Sequence, residues 1–174
     1  TASFEQIVER RHDAHAHDVV VERDVPEPPV LARRLNDDGR AFVAARIAAE
    51  RATAADFETL AGFVTEMDRA LEAGSPLHWA EINSRFHLAI SRLADMPILH
   101  DMTQRAVDYW DRVRRFYFRD VLIHRTRLAQ AEHRAMLVQM QARDIPALEG
   151  TIRDHNRGAL AAYMAHLSQT HDEG

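Results

Sequence analysis

Phe57, Leu60, Val64, Met67 and Leu71 follow one another at alternating steps of three and four residues, and this spacing leaves the chain little choice but an amphipathic α-helix. The segment is bounded as a helix should be. Thr53 with Asp56 three residues on forms an acidic variant of the capping box, and Gly74-Ser75-Pro76 ends the pattern. The same period returns downstream. Trp79, Ile82, Phe86, Ala89 and Leu93 mark a helix over 77–94, with Pro97 at the next turn. Leu99, Met102, Ala106, Tyr109, Val113 and Phe116 mark a longer one over 98–119. A further helix covers 124–142, and the last starts with Asp144 as N-cap and Pro146 in its first turn and continues to Leu167. Upstream, Leu31, Leu35, Phe42, Ala45 and Ala49 give a first helix over 30–51, with Asn36-Asp37-Asp38-Gly39 as a place where it could break or bend. Glycine and proline are scarce, and β-branched alternation is nearly confined to Asp18-Val19-Val20-Val21-Glu22. The fold class predicted is all-α, an antiparallel bundle of six to seven helices with short connections.

A chain of 174 residues can bury a core without covalent staples, and it has none, because cysteine is absent. Any transition metal would therefore rest on imidazole, carboxylate or amide oxygen. The formal net charge of −5 gives no basic excess of the kind a DNA-binding surface needs. No apolar run approaches the roughly 18 residues of a membrane span, and Thr1-Ala2-Ser3-Phe4 lacks the basic flank of a secretory signal, so the expected location is cytoplasmic and no membrane partner is expected. Residues 1–29 read as an N-terminal segment or linker, 30–168 as the helical domain and 169–174 as a tail. Ile7-Val8-Glu9-Arg10 and Val19-Val20-Val21-Glu22 could be short strands, too little to form a stable unit alone.

Three histidines fall on the apolar stripes. Asn83 and His87 lie four apart on one helix face that continues to Ile90 and Ala94. His133 is in register with Met136, Leu137 and Met140, and His155 sits within the stripe of Leu148, Ile152, Ala159 and Ala162. Inward imidazoles are costly unless something satisfies them, and a divalent metal shared by all three would do so. A single inward histidine is more often hydrogen-bonded core than ligand; three on separate inner faces strengthen the metal reading without deciding it. His12, His15 and His17 read as a flexible loop, and His78, His100, His124, His166 and His171 fall at helix ends or polar faces.

The same residues carry a family resemblance. Asn83-Ser84-Arg85-Phe86-His87 resembles the Asp/Asn-x-x-Phe-His element of the FadR C-terminal domain (FCD) of GntR-superfamily transcription regulators. Ile47-Ala48-Ala49-Glu50-Arg51-Ala52-Thr53 resembles the close of that family's first helix, and Glu132-His133 and His155 follow at the expected intervals. The resemblance spans about 30–167. It implies a dimerising domain that is not an enzyme, with one divalent metal (zinc foremost, nickel or manganese as alternatives) held by the residues standing here as Asn83, His87, His133 and His155, and with a small carboxylate effector bound beside it. Asn83 departs from the commoner Asp of the family. The carboxylate-binding arginine expected on the first helix has Arg40 as its substitute, and Tyr109 and Arg112 on the fourth helix are further effector candidates, against a plain reading as a solvated or dimer-facing side. The mechanism implied is linkage: an acid that binds one dimer arrangement more tightly shifts the spacing of attached DNA-binding domains. Operator DNA would be contacted through a winged helix-turn-helix largely absent from this chain, of which Ile7 to Glu22 could be the wing. A metalloenzyme with a three-histidine site and a dimerisation module with a purely structural metal are the competing readings. The first wants a general base, for which Glu132 and Asp154 are poorly placed as sequence neighbours of His133 and His155, since adjacent helical residues point about 100° apart.

Overall fold

The structure is a computed structural model that describes residues 38–117 and 123–172, with side chains over 39–111, 125–162 and 164–165. Six helices make up these residues: α1 (Asp38–Arg51), α2 (Ala54–Glu72), α3 (Pro76–Leu93), α4 (Pro97–Tyr117), α5 (Ile123–Ala142) and α6 (Ile145–Asp172). The all-α bundle predicted from periodicity is the fold found, with no strand among the described residues. The candidate strands near Ile7 and Val19, and the part of the first helix before Asp38, lie outside the described residues. α6 runs past the expected stop at Leu167 to Asp172, a stretch that holds no glycine or proline to end it.

The helix boundaries follow the local chemistry. Thr53 caps α2 as the spacing predicted, its backbone N–H donating to Asp56 Oδ2 at 2.8 Å while its Oγ1 accepts from the Asp56 N–H at 3.3 Å. Gly74, at φ 62°, reverses the chain after α2, so that the Ser75 N–H reaches back to the Ala70 carbonyl at 2.8 Å. Arg143 performs the same reversal after α5 at φ 54°, where a residue with a Cβ is strained. Asp144 then caps α6 by accepting from the Ala147 N–H at 3.2 Å.

The arrangement is set by α1. Its buried face is made of Ala44, Ala45, Ala48 and Ala49, each at most 3% exposed. Side chains this small let the helix lie close to four others, and it packs against α3, α4, α5 and α6. Arg51 at its end donates to the Ala94 carbonyl at 2.6 Å, tying the close of α1 to the close of α3. α2 packs on α3 and α5, and α5 on α6. The core between them holds Leu60, Met67, Ile82, Phe86, Met140 and Leu148. Each such side chain removed from water contributes roughly 1.5–3 kcal/mol before conformational entropy is set against it. No helix among the described residues is long and apolar enough to cross a membrane.

Candidate metal centre

α3, α5 and α6 point His87, His133 and His155 at a common point, with ring centroids 5.2 Å (87 to 133), 5.4 Å (87 to 155) and 4.8 Å (133 to 155) apart. One ligand nitrogen from each lies within 4.8 Å of the others. Asn83 stands one turn before His87 on α3, 7% exposed. The three histidines that the sequence singled out are thus brought together, and Asn83 shares a cavity wall with His87 and His155.

His133 is fully buried, held between the ring of Trp79, stacked at 5.9 Å, and that of Phe86 at 5.2 Å. Burial first, and then the cationic tendencies of His155, His87 and Arg125, push its pKa well below the ordinary range, so the ring is neutral. Its Nδ1 lies 3.4 Å from Gln130 Oε1. The Gln130 amide is oriented by two donations from Nε2, to the Val64 carbonyl at 2.9 Å and to Asp68 Oδ1 at 2.6 Å, which turns Oε1 toward Trp79 Nε1 and His133. With Nδ1 facing this acceptor, Nε2 of His133 carries the lone pair, and it is buried with no hydrogen-bond partner.

His155 is fixed in the same manner by a carboxylate. Its Nδ1 lies 2.7 Å from Glu132 Oε2. Glu132 is in turn held by Arg125, whose two terminal nitrogens donate to the two carboxylate oxygens at 3.1 and 3.0 Å. Burial alone would raise the Glu132 pKa, but the hydrogen bond and charge of His155 together with Arg125 outweigh it and leave the carboxyl below its usual range. Arg125 Nη2 also donates to the α6 carbonyls of Asp154 and His155, at 3.3 and 3.1 Å. It can do so because Gly158 has no side chain: a Cβ there would fall within 2.7 Å of the guanidinium carbon.

A cavity of about 160 Å³ opens beside the histidines. Asn83, His87 and His155 line one part of it, Trp79, Met102, Val107 and Trp110 another, and Thr103, Thr126 and Asn156 add polar points. Among the described residues, Arg40 and Arg125 are the charged side chains of the wall, with no Asp or Glu beside them. A smaller cavity of about 50 Å³ shares His87 and His155. Of the expected effector residues, Arg40 is on the wall. Tyr109 is buried, 8% exposed, but does not line the cavity: the α4 stripe that does is Met102, Thr103, Ala106, Val107 and Trp110, and Tyr109 is about 90° round the helix from its centre. The Arg112 side chain lies outside the described residues. Sequence reasoning missed Arg125 and Gln130, and weighed Glu132 only against its neighbour His133 when its partner is His155 across the helix interface. The available signal was Arg125 and Glu132 seven apart on α5, two turns along one face.

Facing helices gather three imidazoles beside a cavity, with His87 and His155 on its wall, an arrangement suited to holding a small molecule inside a bundle. The chain belongs to the FCD domain family, whose model matches residues 43–158. It is accordingly a ligand-sensing regulatory domain of the FCD type, a membership that points to a regulator rather than an enzyme. Among solved structures it is similar in fold to E. coli McbR/YncC, with 18% sequence identity, a TM-score of 0.70 and coverage of 80% of this chain. The chain spans 65% of the length of that protein. A search of curated proteins by sequence finds no match.

Proposed function

We propose that this domain senses a small organic acid, bound in the larger cavity beside a divalent metal that Asn83, His87, His133 and His155 would hold. The observation that carries the reading is a pair of orphaned buried atoms, His133 Nε2 and Asn83 Oδ1, in a cluster where His133 Nδ1 and His155 Nδ1 already have outer partners. A buried polar atom without a partner costs about 1–3 kcal/mol, which a bound cation would recover. The donor set fits: neutral imidazole and amide oxygen suit zinc first, and nickel or manganese as well. Nitrogens sharing a tetrahedral zinc ion are about 3.3 Å apart, so a spread of up to 4.8 Å asks only a small closure of the rings.

The metal would supply a fixed positive charge able to hold and orient a carboxylate. The chain's own residues supply the rest. Glu132 and Gln130 hold His155 and His133 with Nε2 inward, Trp79 and Trp110 offer flat apolar surface to the body of the acid, and Arg40 on α1 is the candidate for its polar end. The cavity supports sensing over a purely structural metal, since a structural site is closed by protein on every side.

In the regulator as a whole we propose residues 30–168 as the sensing and dimerisation unit, with residues 1–29 leading from a winged helix-turn-helix that contacts operator DNA in the cytoplasm. The acid would act by its difference in affinity between two arrangements of a FadR-type homodimer. Metal analysis with a thermal-shift screen of small carboxylic acids tests the sensing site. Stabilisation by an acid that vanishes with chelator, and is absent in His133→Ala, is the expected result; stabilisation by metal with indifference to every acid would leave only a structural role.

A further inference from the structure

The ligand set proposed above contains no anion. Asn83 offers an amide oxygen where a carboxylate would be the stronger donor, and that oxygen is buried without a partner. The acid that contacts the cluster, Glu132, is already committed to the Arg125 guanidinium and to His155 Nδ1. Among the described residues the cavity wall contributes two arginines and no acid. A divalent ion among four neutral donors keeps its whole charge in a place withdrawn from water, and a buried charge without a counter-charge is expensive. The same deficit makes the adjoining cavity strongly favourable to an anion, because attraction between opposite charges rises as the local dielectric falls.

From this we infer that carboxylate and metal bind the domain as a mutually dependent pair, and that Asn83 makes them so: the acid's carboxylate supplies the negative charge that an acidic side chain at position 83 would have supplied permanently. The inference rests on the metal-and-acid reading of the site and adds to it. By linkage, the factor by which the acid tightens the metal is the factor by which the metal tightens the acid. The domain then responds to acid and metal jointly, and an aspartate at position 83 would neutralise the ion in advance and uncouple the two.

The test is a zinc titration of the full chain, after metal removal, in competition with a chromophoric chelator. It is run alone, with excess acetate, and with excess acetamide as the uncharged analogue of the same shape. Acetate is expected to raise zinc affinity by about tenfold or more, within the usual range of coupling between sites, and acetamide by less than about threefold. Asn83→Asp is nearly isosteric, and is expected to bind zinc about tenfold or more tightly without acid and to reduce the acetate effect below about threefold. Equal effects of acetate and acetamide on the unmodified chain, a comparison that needs no variant to fold, would overturn the inference. So would an acetate effect undiminished in Asn83→Asp. Either result with zinc still lost in His133→Ala would leave the metal site standing. Zinc binding too weak to measure in both the unmodified chain and Asn83→Asp would instead overturn the site itself.

Discussion

Replacing Gly158 by alanine sets two effects of opposite sign against each other, and the structure decides between them. In an unobstructed helix interior the change stabilises by about 0.5–1 kcal/mol, through helix propensity and the entropy of the unfolded chain. At position 158 the new Cβ would lie 2.6 Å from Arg125 Nε and 2.7 Å from Cζ. A guanidinium in open water would swing aside freely. This one has a side chain only 10% exposed and is bound to Glu132, itself 14% exposed, and to two carbonyls of α6. Losing one charge-assisted hydrogen bond of this kind costs about 1.5–3 kcal/mol. Set against the propensity gain, Gly158→Ala should be destabilising by about 0.5–2.5 kcal/mol. Urea unfolding followed by far-ultraviolet circular dichroism measures it. Gly150 on the same helix has nothing within 4 Å of its notional Cβ, so Gly150→Ala should stabilise by about 0.5–1 kcal/mol. In an Arg125→Ala background, Gly158→Ala should behave like Gly150→Ala, a reversal of sign that isolates the clash. Stabilisation by Gly158→Ala in the unmodified chain would refute the reasoning, since the guanidinium could then not be pinned against α6.

Other consequences follow from the same geometry. Arg143→Gly should stabilise the fold by about 0.5–1 kcal/mol by relieving the left-handed backbone at φ 54°, measured by urea unfolding; a loss of stability would mean the strain is illusory. Gln130→Ala removes the acceptor facing His133 Nδ1 and should weaken zinc binding by about 10–100-fold in chelator competition, whereas unchanged affinity would show that the tautomer is fixed by other means. Since the folded His133 has a depressed pKa, the unfolded chain binds more protons between that value and about 6.5. The metal-free protein should therefore lose stability as pH falls through this window, by up to about 1.4 kcal/mol per pH unit, with Glu132 adding a further loss only below about pH 4.5. Thermal melts that do not shift between about pH 7.5 and about pH 5.5 would contradict this.

The parts of this molecule that were legible in the sequence are those fixed by periodicity and by adjacent residues. Thr53 and Asp56 announce a helix start because both halves of the capping box lie within one turn, and Asp144 announces another for the same reason. His87, His133 and His155 could be assigned to inner faces because each shares a stripe with residues that are apolar without ambiguity. What spacing cannot give is the rotation of one helix against the next. Tyr109 belongs to the apolar stripe of α4, yet the cavity lies a quarter-turn further round. Glu132 was measured against the histidine beside it in sequence, whereas its side chain crosses to α6. Gln130 is an unremarkable polar residue until Asp68 and the Val64 carbonyl, more than sixty residues away in the chain, take both its amide hydrogens and decide which way its oxygen points.

The alanine face of α1 has a mechanical corollary. The helix lies so near the middle of the bundle that Arg40 and Ala41, in its opening turn, form part of the chamber wall. A small molecule filling that space would therefore rest against the first turn of α1, so that the start of this helix and the contents of the chamber share one surface.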